Sequence, residues 1–160
     1  MAGNSAWTAG PAAALDRARR EVLRSALVAA CAAGIVLVGL ALKPDPRGFG
    51  THEQLGLPPC MFCLLTGLPC PTCGFTTALA RMARLDLAGA FAASPAGTLA
   101  FLCACFVLVR SLLFLPRGRG DRRLLACLRS GRFWAAVIAV CVGSWAFKLA
   151  AAVAGLQGFR

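Results

Sequence analysis

The sequence predicts an all-α membrane protein. Three transmembrane helices are expected, with a Cys/Pro/Gly-rich loop and one or two short interfacial helices between the first and second spans. Three observations carry this reading. Hydrophobic residues make up 59% of the 160 and charged residues only 14%, against about 45–50% and 25% in soluble domains. The mean hydropathy is +0.73. The apolar residues also fall in three long runs, and basic residues cluster at their edges. A soluble globule of this size exposes too much surface for so few charges to cover. A soluble enzyme, a disordered chain and a secreted disulfide module are thereby excluded.

Residues 1–24 form a basic cytoplasmic tail, small and polar at first, then carrying Arg17, Arg19, Arg20 and Arg24. A short basic helix is expected from Pro11. Residues 25–42 are 18 residues without a charge, long enough for about 27 Å of helix and so for a bilayer core. The run exceeds the apolar region of about 7–15 residues found in a cleaved signal, so it reads as a retained first span. Residues 43–74 are the Cys/Pro-rich external loop, whose prolines prevent a regular helix. Residues 75–95 form the interfacial helical segment. Phe75, Leu79 and Met82 recur at helical spacing there, and Asp86 is placed to cap a second helix reaching Ala93.

The second span covers residues 96–115, with 14 uncharged positions before Arg110. Residues 116–132 are a basic cytoplasmic loop with six arginines and one acid, Asp121. The third span covers residues 133–156 and contains Lys148, and residues 157–160 are the C-terminal end.

Basic residues orient such a chain, because Lys and Arg accumulate on the cytoplasmic side. The tail and the loop after span two hold four and six, whereas Lys43, Arg47, Arg81, Arg84 and Arg160 make five on the other side. The N-terminus is therefore expected in the cytoplasm and the cysteine loop outside. Arg110 and Lys148 lie toward the ends of their spans, so both side chains are expected to snorkel to the nearer surface. The net charge of +11 sits beside apolar runs and so points to lipid headgroups, with no nucleic acid among the partners.

The chemistry concentrates in one loop. Cys60 and Cys63 form one Cys-x-x-Cys pair, and Cys70 and Cys73 form a second after six residues. Each pair suits a tight turn with both sulfurs directed at one centre, and four thiolates match the tetrahedral preference of structural zinc. The same residues suit two structural disulfides on an oxidising external face. They also suit thiol–disulfide exchange by Cys70 and Cys73, with Cys60 as the resolving thiol. A haem attachment would need a histidine after the second cysteine, where Leu64 and Gly74 stand. His52, the lone histidine, is a further candidate ligand.

Cys31, Cys103, Cys105, Cys127 and Cys141 read as packing residues, since free cysteine behaves as a small hydrophobe. Small residues such as Ala29, Ala30, Ala32, Ala33 and Gly34, and those from Ala150 to Gly155, allow close helix approach. They suit packing within one chain, against a membrane-protein partner, or in a homo-oligomer. The reading favours an accessory or partner-binding membrane protein over an enzyme.

The stretch from Gly48 to Ala80 resembles the signature of a family of small bacterial membrane proteins, domain of unknown function 2752. Cys60, Thr66, Gly67, Cys70, Pro71, Cys73, Gly74 and Thr76 fall in its register, within a likeness that runs from about His52 to Gly97. The family's three cysteines correspond to Cys60, Cys70 and Cys73, while Cys63 stands where the pattern varies. The family commonly has an arginine after the final threonine, and here that position is Thr77. The resemblance implies a first span, this loop and further spans, and it implies no activity.

Overall fold

A computed structural model describes residues 11–114 and 121–155. The tail residues 1–10, residues 115–120 with Arg117 and Arg119, and residues 156–160 lie outside the described residues. Among the described residues all regular structure is helical: α1 (Pro11–Ala41), a single 3-10 turn (Thr51–Leu55), α2 (Met61–Thr66), α3 (Phe75–Met82), α4 (Leu87–Ala93), α5 (Pro95–Phe114), α6 (Arg122–Leu128) and α7 (Gly131–Val153).

Three of these helices are long and apolar enough to cross a membrane: Leu15–Ala41, Pro95–Phe114 and Gly131–Val153. Their most apolar stretches are only 17%, 28% and 17% buried within the protein. Leu27, Leu37, Leu102, Phe106, Leu112, Ile138 and Val142 all point outward. An apolar face of that extent needs hydrocarbon around it. The basic segment and the first apolar run share one helix, because nothing between Pro11 and Ala41 breaks the backbone ladder.

Helix ends follow local chemistry. Ser94 Oγ accepts from Gly97 N at 3.3 Å, with Pro95 at the first helical position of α5. Ser130 Oγ accepts from Phe133 N at 3.2 Å and starts α7. Asp86, in the capping position, accepts from Gly89 N at 2.9 Å.

Three short α-helices lie between the first two spans. One of them, α2, falls inside the Cys/Pro-rich loop where no regular helix was expected, because the stretch Met61–Thr66 contains no proline. The other two, α3 and α4, occupy the expected interfacial segment, and their inner faces do more than rest on a surface. Ala78, Leu79 and Met82 of α3, Ala90 and Ala93 of α4 and Phe101 of α5 form the buried core, flanked by Ile35, Val36 and Val38 of α1. α3 therefore sits between α1, α4 and α5. Gly39 permits this closeness, since a Cβ there would lie 2.8 Å from the carbonyl oxygen of Leu79. Arg84 Nη1 donates to the Gly39 carbonyl at 3.3 Å across the same contact.

The two intramembrane cations depart from simple snorkelling. Arg110 does not run free to the surface: its Nη2 lies 2.6 Å from Asp121 Oδ2. Lys148 is fully buried, with its ammonium turned into the protein. A lysine snorkels only when water is its best available acceptor, and here backbone carbonyls are closer.

Candidate thiol site

The loop between α1 and α3 is tied down by its polar residues. Gln54 braces its start, accepting from Lys43 N at 3.1 Å and donating to the Lys43 carbonyl at 2.7 Å. Thr51 and Thr77, both fully buried, join their hydroxyls at 2.8 Å, and Thr51 Oγ1 also accepts from Asp45 N at 3.0 Å. Thr77 thus fills with a hydroxyl the position where the resemblance led to expect an arginine.

Cys60 sits in extended backbone just before α2, and its carbonyl accepts from Leu64 N. Thr66 and Gly67 close that helix. Gly67 takes a left-handed conformation, and Thr66 Oγ1 donates to the Phe62 carbonyl at 2.6 Å and accepts from Leu68 N at 3.2 Å. The chain then turns through Cys70-Pro71-Thr72-Cys73, with Cys73 N donating to the Cys70 carbonyl at 3.1 Å. Gly74 follows at φ 73° and starts α3. A Cβ on Gly74 would lie 2.5 Å from the Ala93 carbonyl oxygen and 2.8 Å from that of Gly48. Glycine is therefore required there both by dihedral and by space.

These turns bring together Cys60, Cys70 and Cys73, whose Sγ atoms all lie within 4.8 Å of one another. Cys70 and Cys73 Sγ are 3.1 Å apart, and Cys70 Sγ is 3.4 Å from Thr72 Oγ1. Cys73 is buried, and Cys60 and Cys70 are half-buried. Cys63 and His52 stand outside that trio. Both line the same cavity of about 480 Å³, along with Thr76, Arg47, Phe49 and Phe75. Cys63 is fixed to the first turn of α2, whereas Cys60 precedes the helix and swings toward the second pair.

The site polarises its thiols. Burial alone would raise Cys70, but contacts from Thr72, Cys73 and Cys60 outweigh that and lower it to about 7. Cys73 goes up, first from burial and then from sharing its proton with Cys70. Cys63 is also raised, by burial and by the neighbouring Cys60 and Cys70 sulfurs. At the cavity mouth Arg47 pairs with Asp45 at 2.8 Å and Glu53 at 3.4 Å, so its charge is already compensated.

The third span holds the second turn in place. Trp145 Nε1 donates to the Pro69 carbonyl at 3.1 Å, and Lys148 Nζ donates to the carbonyls of Pro71 at 2.9 Å and Cys73 at 2.7 Å. Three alternate residues thus offer carbonyls to donors spaced i and i+3 on α7. Irregular backbone leaves its carbonyls unpaired, and where they are buried from water they must find donors in the protein. Trp145 is a site residue that sequence reasoning missed. Its only signal was the i,i+3 spacing to Lys148.

Apolar helices of membrane length and a converging thiol trio define a class: a helical protein of multi-pass membrane type with a cysteine cluster at the end of its bundle. Residues 60–108 match the family model described as Protein of unknown function (DUF2752). The matched segment holds the three clustered cysteines, α2, α3, α4 and most of α5, but not Trp145 or Lys148. No curated protein and no solved structure matches the chain.

Proposed function

We propose that this chain is a multi-pass protein of the bacterial cytoplasmic membrane whose external loop binds one thiophilic divalent metal ion, of the zinc class, through Cys60, Cys70 and Cys73. The bound ion organises the loop as a docking platform for a membrane partner or a second copy, and the protein has no catalytic turnover of its own. The single supporting observation is the convergence of three Sγ atoms within 4.8 Å. Sulfurs on a tetrahedral zinc at about 2.3 Å from the ion lie roughly 3.8 Å from each other, so the trio needs little movement to close on one. Cys63 and His52, facing the same cavity, are the chain's own candidates for the fourth position. Ten basic residues on the tail and 116–132 side against five opposite support the inside-out assignment.

Elemental analysis and thiol counting on detergent-purified full-length protein test the reading. Near one equivalent of zinc is expected, with three thiols protected from alkylation until a chelator is added. Cys70→Ser should lose the metal while the protein stays in the membrane fraction. Disulfides in the loop with no metal would replace this reading by a covalent staple. Turnover of a disulfide substrate that Cys70→Ser abolishes would replace it by thiol–disulfide exchange through Cys70 and Cys73.

A further inference from the structure

The far end of the bundle carries a second cavity, unrelated to the cysteines. It lies between α1 and α6 and measures about 860 Å³. On α1 its wall is Glu21, Arg24, Leu27 and Val28, and opposite it are Arg122, Leu125, Ala126 and Leu128 of α6 with Arg129, the residue that caps its C-terminal end. The spacing is that of single helix faces: 21, 24 and 28 on one side, 122, 125, 126 and 129 on the other.

Charge divides this cavity. Arg122 Nε reaches Glu21 Oε2 at 2.7 Å, so that pair is neutral. Arg24 and Arg129 are exposed and have no carboxylate partner among the described residues. Arg24 is also the last charge before the uncharged run 25–42. The α1 wall therefore changes within one turn from guanidinium to the hydrocarbon of Leu27 and Val28. A cleft with two free cations at one end and a continuous apolar strip at the other fits a ligand with one anionic head and an aliphatic body.

We infer that this cleft is a binding site for one anionic phospholipid. The lipid phosphate sits between Arg24 and Arg129, where guanidinium N–H groups pair with phosphate oxygens. The upper acyl segments lie along Leu27, Val28 and Leu125. Inorganic phosphate and nucleic acid supply the charge but not the aliphatic body, so neither fills the apolar half.

The test uses full-length protein in a nonionic detergent, titrated with phosphatidylglycerol and read by native mass spectrometry. A saturable single adduct is expected with phosphatidylglycerol and not with phosphatidylcholine. Arg24→Gln/Arg129→Gln should weaken it about 30-fold, the loss of two basic side chains from an anionic contact. Arg17→Gln/Arg19→Gln removes the same charge from α1 outside the cleft and should leave the affinity within about two-fold. Leu125→Trp fills the apolar half without changing charge and should also weaken the adduct. Equal losses in the two double variants would overturn the site, because net charge alone would then explain binding. Displacement of the lipid by inorganic phosphate or by single-stranded RNA at matched phosphate concentration would overturn the lipid assignment.

Discussion

Lys148 Nζ lies 2.7 Å from the carbonyl oxygen of Cys73, a residue 75 positions away in sequence, and the ammonium is fully buried. A cation in the third span is thus spent on the backbone of the thiol turn. Its second acceptor, the Pro71 carbonyl at 2.9 Å, belongs to the same turn. Removing this donor leaves two carbonyls without partners, at about 1–3 kcal/mol each where they are buried. Lys148→Met should therefore destabilise the protein by about 2 kcal/mol or more in a detergent thermal melt. Limited proteolysis should begin in the loop at 69–74, ahead of the spans. An unchanged melt and cleavage pattern would show that the loop is held by other means.

The Thr51–Thr77 pair makes a different prediction. Thr77→Val leaves a buried hydroxyl on Thr51 with one partner lost, which costs about 1–3 kcal/mol. Adding Thr51→Val should recover part of that loss, since neither hydroxyl then remains orphaned. Full recovery is not expected, because Asp45 N also donates to Thr51 Oγ1 at 3.0 Å. A double-mutant cycle measured by chemical denaturation gives the coupling directly.

In metal-free protein, alkylation should separate the cysteines by pH. The thiolate is the nucleophile, and Cys70 is lowered to about 7 whereas Cys73 and Cys63 are raised. Iodoacetamide labelling of Cys70 should rise through pH 7 and level off above it. Cys73 should stay unlabelled well into alkaline solution. Peptide mass spectrometry after timed quenching reads each site, and a common midpoint for all three would contradict the polarised arrangement.

Asp121 links stability to acid. Burial would raise its carboxyl, but donation from Leu124 N and the Arg110 guanidinium hold it below its ordinary value. A carboxyl lowered by folding binds its proton more readily in the unfolded chain. Its contribution is therefore complete above the unfolded pKa of about 3.9 and is lost as pH falls through the folded value. Asp121→Asn should abolish that part of the acid dependence and cost about 1–3 kcal/mol at neutral pH, where Arg110 is left without its carboxylate. Melting curves of both proteins across the acid range check the sign.

The sequence made the spans legible because each is a long uncharged run, and helix length against bilayer thickness is simple geometry. The thiol cluster was legible in outline because two Cys-x-x-Cys pairs lie close along the chain. The choice of three sulfurs over four was not legible from spacing, since it depends on Cys63 being fixed within α2 while Cys60 precedes it. The burial of α3 was hidden for a related reason. Thr77, Ala78 and Ala80 are small, so their weak hydropathy conceals a fully packed face. Lys148 was visible as an anomaly, but its acceptors are carbonyls, which every residue has. No residue pattern marks which of them will be left unpaired.

The scaffold around the three sulfurs is fastened by hydroxyls, an indole, an ammonium and a glycine bend. Because the indole and the ammonium both come from α7, a change in the tilt or register of the third span is felt directly at the Cys70–Cys73 turn, and the bundle and the sulfurs move together.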